Sequence, residues 1–160
     1  MKILAIQNRM GIGDMVIFLP YIEAVAKKYN SQVTLLVKEN SKAEHLIKDN
    51  KYINEIIILK RDRTNKNFHD GLNGFFRLVS DIKKYQFDKV LIFNSSLRYR
   101  LVCRFAGISD IYQYPLFKKK NQHIIEAANK LLKNNFNLEI KSDPVTVSYT
   151  HLRAHETSRN

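Results

Sequence analysis

The sequence predicts an open α/β fold, a parallel sheet with helices on both faces, and three observations predict it. Apolar runs of strand length alternate with stretches whose apolar residues recur at three- and four-residue steps. Val90-Leu91-Ile92-Phe93 is continuous in hydrophobicity, as a strand covered on both faces must be. Strand and helix patterns follow one another in strict turn, the order that right-handed parallel crossovers impose. A chain of 160 residues with 44% hydrophobic content has enough apolar material for one packed core and no room for two.

The first strand is Ile3-Leu4-Ala5-Ile6, which stops at the loop Gln7-Asn8-Arg9-Met10-Gly11-Ile12-Gly13-Asp14. A helix is expected over residues 15–29, with Val16, Leu19, Ile22, Val25 and Ala26 on one stripe. Pro20 lies inside it and predicts a kink or a loosened first turn, because proline lacks the helical N–H and crowds the carbonyl four residues back. Gln32-Val33-Thr34-Leu35-Leu36-Val37 is the second strand, and a short helix over 41–47 begins at the Ser41 cap. Glu55-Ile56-Ile57-Ile58-Leu59 is the third strand. A polar loop over 60–70 leads to a helix over 71–86 carrying Phe75, Leu78, Val79 and Ile82 on one face. The fourth strand covers 89–93, and Asn94-Ser95-Ser96 then starts a helix at Leu97–Phe105 that Gly107 terminates. A short fifth strand over 110–114, a basic loop over 115–122 and a last helix over 124–133 complete the pattern.

Ligands of open parallel sheets bind outside the carboxyl ends of the strands, so the first strand-to-helix turn is the natural place for chemistry. Gly11 and Gly13 permit a tight turn with close backbone approach, and Asp14 is the only carboxylate there. Two readings of Asp14 stay open: a side-chain cap on the helix, or a group that acts on a ligand. A dinucleotide fingerprint fails, because Val16 stands where the third glycine belongs and no acidic residue closes the second strand before Lys38 and Glu39. A phosphate-binding P-loop fails as well, since no Gly-Lys-Ser/Thr follows the turn.

A formal net charge of +12 and a high proportion of lysine imply an acidic partner of some kind. The pairs Lys27-Lys28 and Lys83-Lys84 and the run Lys118-Lys119-Lys120 are spread over helix faces and loops, and no aromatic-basic stacking motif accompanies them, so nucleic acid is not expected. The lone Cys103, among Leu101, Val102 and Phe105, reads as a small buried hydrophobe in a reducing compartment. The absence of a membrane-spanning run and of a basic-then-apolar leader predicts a cytoplasmic protein.

From Val147 the pattern breaks: Val-Ser-Tyr-Thr-His-Leu-Arg-Ala-His-Glu-Thr-Ser-Arg-Asn has no apolar periodicity and resembles a translated transposon-end adapter of a sequencing library. His151 and His155 in it are therefore not taken as metal ligands despite their helical spacing. Without this tail the chain is still strongly basic. The expected organisation is a Rossmann-like domain over 1–141, the start of a linker over 142–146 and a non-native tail over 147–160.

With the turn placed, the chain resembles the N-terminal half of the family 9 glycosyltransferases, the ADP-heptose:lipopolysaccharide heptosyltransferases. Gly13-Asp14-Met15-Val16 with Pro20 is similar to that family's Gly-Asp-Val-Val-x-x-x-Pro signature. Phe87-Asp88-Lys89-Val90-Leu91-Ile92, then Asn94-Ser95-Ser96-Leu97-Arg98-Tyr99-Arg100 and Ala106-Gly107-Ile108, look like its fourth strand and following helix. His123 with Glu126 is similar to a His-x-x-Glu that opens the domain's last helix. The loop is one residue longer than the family's commonest form, and Arg9 stands for the basic residue often found at its start.

The resemblance implies a GT-B glycosyltransferase, two Rossmann-like domains facing across a cleft, of which this chain is the acceptor-binding one. It implies that Asp14 is the general base, and that Gly11, Gly13, Asn94, Ser95, Arg98, Arg100 and His123 contact the acceptor. For Arg98 and Arg100 a solvated helix face is the plain alternative, and for His123 a capping or surface role. The implied partners are an acidic lipid-linked sugar acceptor, met in peripheral contact with the cytoplasmic face of the inner membrane, and a nucleotide-sugar donor of the ADP-heptose type. The donor domain would follow Asp143-Pro144, so the chain alone is expected to be inactive. No metal and no cofactor are implied. The competing reading is a stand-alone Rossmann-like or flavodoxin-like module that binds a nucleotide or nucleic acid through its basic surface, with affinity falling steeply as salt rises.

Overall fold

A computed structural model describes residues 1–8, 11–41, 43–44, 50–60, 69–115 and 124–140. Five strands, β1 (Ile3–Gln7), β2 (Val33–Lys38), β3 (Ile53–Leu59), β4 (Lys89–Ile92) and β5 (Asp110–Gln113), form one sheet in the order β3-β2-β1-β4-β5. Every neighbouring pair is parallel, with Ile3 opposite both Val33 and Lys89 and with Lys89 opposite Asp110. The helices are α1 (Ile12–Tyr29), α2 (Gly71–Tyr85), α3 (Leu97–Phe105) and α4 (Ile124–Phe136), and a 3-10 turn covers Glu39–Ser41. The expected Rossmann-like parallel sheet is therefore the observed one.

Side chains alternate faces along a strand, and here both faces are apolar. Ile3, Ala5, Leu35, Val37, Leu91 and Phe93 pack with α1 and α4, whereas Leu4, Ile6, Leu36, Val90 and Ile92 pack with α2 and α3. Burying one such leucine or isoleucine contributes roughly 1.5–3 kcal/mol, so the central strands β1 and β4 anchor the domain. Cys103 is fully buried in the second cluster as expected, and burial pushes its thiol up to about 12.

Two glycines are fixed by geometry. Gly11 has φ 111°, a conformation that favours a residue without a Cβ, and it lets the chain turn from the β1 loop into α1. At Gly74 a Cβ would sit 2.4 Å from the His69 carbonyl carbon, so α2 lies against the segment before it only because nothing projects there. Helix ends elsewhere use Asn30 and Gln86 in left-handed conformations, with the Asn30 N–H bonded to the carbonyls of Ala26 and Lys27.

Ion pairs and hydrogen bonds close the amino edge of the sheet. The Lys2 backbone N–H donates to Asp88 Oδ2 at 2.7 Å, and Lys2 Nζ donates to the Tyr85 carbonyl at 3.0 Å. Lys89 of β4 pairs with Asp110 of β5, and this hydrogen bond raises the Lys89 ammonium above its ordinary pKa. Lys89 also lies over the rings of Tyr29 and Tyr112.

The structure moves several expected boundaries. α1 starts at Ile12 rather than at 15 and runs on through Pro20, and α4 extends to Phe136. Gln7, expected in the loop, is the last residue of β1 and is fully buried. Of the helix expected over 41–47, residues 42 and 45–47 lie outside the described residues, as do Arg9, Lys118 to Lys120, His123 and the segment from 141 onward. Among the described residues no helix is long and apolar enough to cross a membrane.

Candidate acceptor site at the carboxyl edge

In the order 3-2-1-4-5 the connections leave β1 and β4 in opposite directions, so the switch point, where open sheets form their ligand crevice, lies between their carboxyl ends. The Gly11-to-Asp14 turn comes from β1 and the Asn94-to-Ser96 turn from β4, one on each side of that crevice. Aromatic packing holds them there: the Phe18 ring of α1 lies 4.9 Å from Phe93, which meets Tyr114 edge-on at 6.2 Å. The Phe93 N–H donates to the Ile6 carbonyl at 3.1 Å, extending the β1–β4 pairing to the edge of the crevice.

Asp14 is half-buried in the first turn of α1. The capping reading does not survive: Gly11 is the N-cap, and no side chain caps this helix. Asp14 sits three residues inside, because the helix takes in residues 12–14 that sequence periodicity assigned to the loop. Its carboxylate has no hydrogen-bond or ion-pair partner among the described residues. A Cβ on Gly13 would meet nothing within 4 Å, so no packing requires glycine at that position.

Asn94 forms its own turn, its Oδ1 accepting the Ser96 N–H at 2.8 Å. Ser95 is exposed beside it. Gln113, at the carboxyl end of β5, donates from Nε2 to the carbonyls of Asn94 at 3.1 Å and Ser96 at 2.9 Å, stapling this turn to the sheet. Asn94 Nδ2 and Gln113 Oε1 are buried without a partner among the described residues, one donor and one acceptor at the same edge. Gln113 and the buried Gln7 escaped the sequence reading; the available signal is a polar residue ending a strand that is otherwise apolar on both faces.

The arginines do not converge. Arg98 Nη2 donates to the carbonyls of His69 at 2.9 Å and Gly71 at 3.1 Å, with its guanidinium 5.6 Å from the Phe75 ring centre, so it ties α3 to the start of α2. Arg100, two residues on, is exposed on another side of the helix. His123 lies outside the described residues, and Arg98 is better accounted for as a clamp than as an acceptor contact.

A cavity of about 630 Å³ lies away from the crevice, beside β3 and α2, among Lys60, His69, Asp81, Lys84 and Tyr85. Its histidine is committed to structure. The Lys60 N–H donates to His69 Nδ1 at 3.2 Å, so the ring proton sits on Nε2 and is donated to Asp81 Oδ2 at 3.1 Å. Burial alone would raise the Asp81 carboxyl, but hydrogen bonds from Lys84 and His69 outweigh it and hold the group below its ordinary pKa. No cluster of three or more metal-ligating side chains occurs among the described residues.

No protein-family model and no curated protein matches the chain. Solved structures do match it. The crystal structure of the glycosyl transferase family 9 protein from Veillonella parvula aligns with a TM-score of 0.63 at 18% identity over 83% of this chain and 41% of that one. The E. coli ADP-heptose lps heptosyltransferase II aligns with a TM-score of 0.56 at 19% identity over 71% of this chain and 30% of its own. The chain thus spans less than half the length of either structure. The resemblance carried by Gly13 to Pro20 and by the Asn94 segment leads to the same group of enzymes as this likeness, and the fold is the Rossmann-like α/β fold found in those glycosyltransferases.

Proposed function

We propose that this chain is the acceptor-binding half of an inverting glycosyltransferase, with Asp14 as general base. The observation that carries the reading is the Asp14 carboxylate on the first turn of α1, without a partner among the described residues and beside the switch point between the β1 and β4 ends. A carboxylate within hydrogen-bond reach of a sugar hydroxyl takes its proton as the oxygen attacks the anomeric carbon of the donor. The bond from that carbon to the nucleotide diphosphate breaks from the opposite side, which inverts the centre without a covalent enzyme intermediate. Open space over Gly13 leaves room for a ring to approach the backbone.

The donor, a nucleotide-activated heptose or related sugar, would be held by a second domain of a longer protein, with an acidic lipid-linked sugar as acceptor at the cytoplasmic membrane face. The 160-residue chain alone should then transfer nothing. In the longer protein, Asp14→Asn keeps shape and removes the base, and should lower kcat/KM by roughly 10²- to 10⁴-fold. Unchanged turnover would reduce Asp14 to a helix-dipole residue, and transfer from ADP-heptose by the short chain would overturn the division into halves.

A further inference from the structure

The two outer strands of the sheet are finished differently. β5 is four residues long and opens with Asp110, which pairs with Lys89, the short and charged kind of edge that resists further pairing. β3 ends the sheet on the other side and is its longest strand, seven residues from Ile53 to Leu59. It carries neither proline nor lysine, its irregular register against β2 is confined to the start near Asn54, and Ile56, Ile57 and Ile58 are each only half-buried. Alternate residues along it turn N–H and C=O groups away from β2, and no described strand meets them.

The cavity of about 630 Å³ lies along this edge. One wall is Ile57 and Ile58, and the other is a single stripe of α2, Arg77, Ser80, Asp81 and Lys84 at three- and four-residue steps, with Lys60 just past the end of β3. Among the described residues its walls set three cations against one carboxylate, and that carboxylate, Asp81, already holds His69 and Lys84. Glu55, on the strand itself, accepts the Tyr85 hydroxyl at 2.9 Å. An unpaired edge beside a partly apolar, cationic groove suits an extended chain, because main-chain bonds to the edge supply affinity and alternate side chains enter the groove. Two copies joined edge to edge about a two-fold axis would instead bring both α2 helices to one face of the joined sheet, cation stripe toward cation stripe. We propose that β3 and the α2 stripe bind an extended acidic segment of another protein, which adds a strand to the sheet and sets its carboxylates against Lys60, Arg77 and Lys84. The proposal goes beyond the transferase reading and does not need it.

Fluorescence anisotropy of the 160-residue chain with a labelled short peptide alternating valine and glutamate tests this, against a peptide of equal charge with proline in place of every valine. The valine peptide should bind at low salt, and the proline peptide, which cannot pair as a strand, at least about tenfold more weakly. Hydrogen exchange of the outward amides between Glu55 and Leu59 should slow about tenfold when the valine peptide is bound. Arg77→Ala/Lys84→Ala should weaken binding about tenfold with the circular-dichroism melt retained, whereas Lys27→Ala/Lys130→Ala, the same charge loss on the helices of the opposite face, should leave it within about threefold. If Arg77→Ala/Lys84→Ala melts early, the two peptides and the exchange pattern of the parent chain decide the matter. No binding of the valine peptide, equal binding of the proline peptide, equal losses in both double variants, slowed exchange confined to other strands, or a dimer of the chain that the peptide dissolves would each overturn the proposal. No sugar takes part, so such a failure leaves the transferase reading standing, and an inactive Asp14→Asn protein leaves this one standing.

Discussion

The two edges of the sheet are built from the same strands and finished in opposite ways. At the amino edge the Lys2 N–H and ammonium donate to Asp88 and to the Tyr85 carbonyl, and Lys89 pairs with Asp110, so the polar groups there find partners. At the carboxyl edge Asp14 has no partner among the described residues, and a buried amide donor and acceptor, Asn94 Nδ2 and Gln113 Oε1, stand unmatched. Satisfied polar groups stabilise a fold, whereas polar groups held ready without partners cost stability and are kept where a ligand completes them. One edge therefore closes the domain, and the other is where the proposed site lies.

After Asp14 itself, the largest effect is expected at Gly13. Gly13→Ala meets no neighbouring atom, and alanine is favoured over glycine in a helix, so the fold should gain up to about 1 kcal/mol in a thermal melt. Transfer by the longer protein should nevertheless fall by up to about 100-fold, because a methyl group would displace the acceptor. A smaller, mixed effect is expected at Gln113, which both staples the Asn94 turn and faces the crevice. Gln113→Ala should lose about 1–2 kcal/mol in denaturant titration, with a loss of transfer as well.

At the amino edge the effects should be smaller and confined to stability. Lys89→Met removes a partly exposed ion pair and should cost no more than about 1 kcal/mol. Because the Lys89 pKa is raised in the fold, its contribution is complete below the ordinary lysine value and fades as pH rises through the raised one. The smallest effect is expected away from that edge, at Asp81, whose carboxylate is substantially exposed. Its lowered pKa means that its contribution is present above the ordinary aspartate value and is lost as pH falls through the lowered one. Asp81→Asn should therefore destabilise by a few tenths of a kcal/mol at neutral pH, and the difference from the parent should vanish in strong acid.

Much of the fold is legible in the sequence because its signal is local. Continuous apolar runs mark β1, β2 and β4 as strands covered twice, and Leu97–Phe105 is bounded by a polar turn before it and Gly107 after it. The start of α1 is less legible, since residues 12–14 carry no apolar stripe and the helix begins there to continue the turn at Gly11. In the site, Asp14 and the Asn94 turn are visible as polar residues after apolar runs. What sequence cannot show is which of these side chains is already engaged. Arg98 finds its carbonyl partners at His69 and Gly71, and Gln113 reaches back to Asn94, separations that only the paired strands bring together.

The central claim is tested most directly by measuring kcat/KM and melting temperature together for Asp14→Asn and Lys89→Met in the longer protein. The expected result is crossed: Asp14→Asn loses at least about 100-fold in transfer with its melt unchanged, and Lys89→Met melts lower while transferring sugar normally. Equal transfer by the two variants would contradict it.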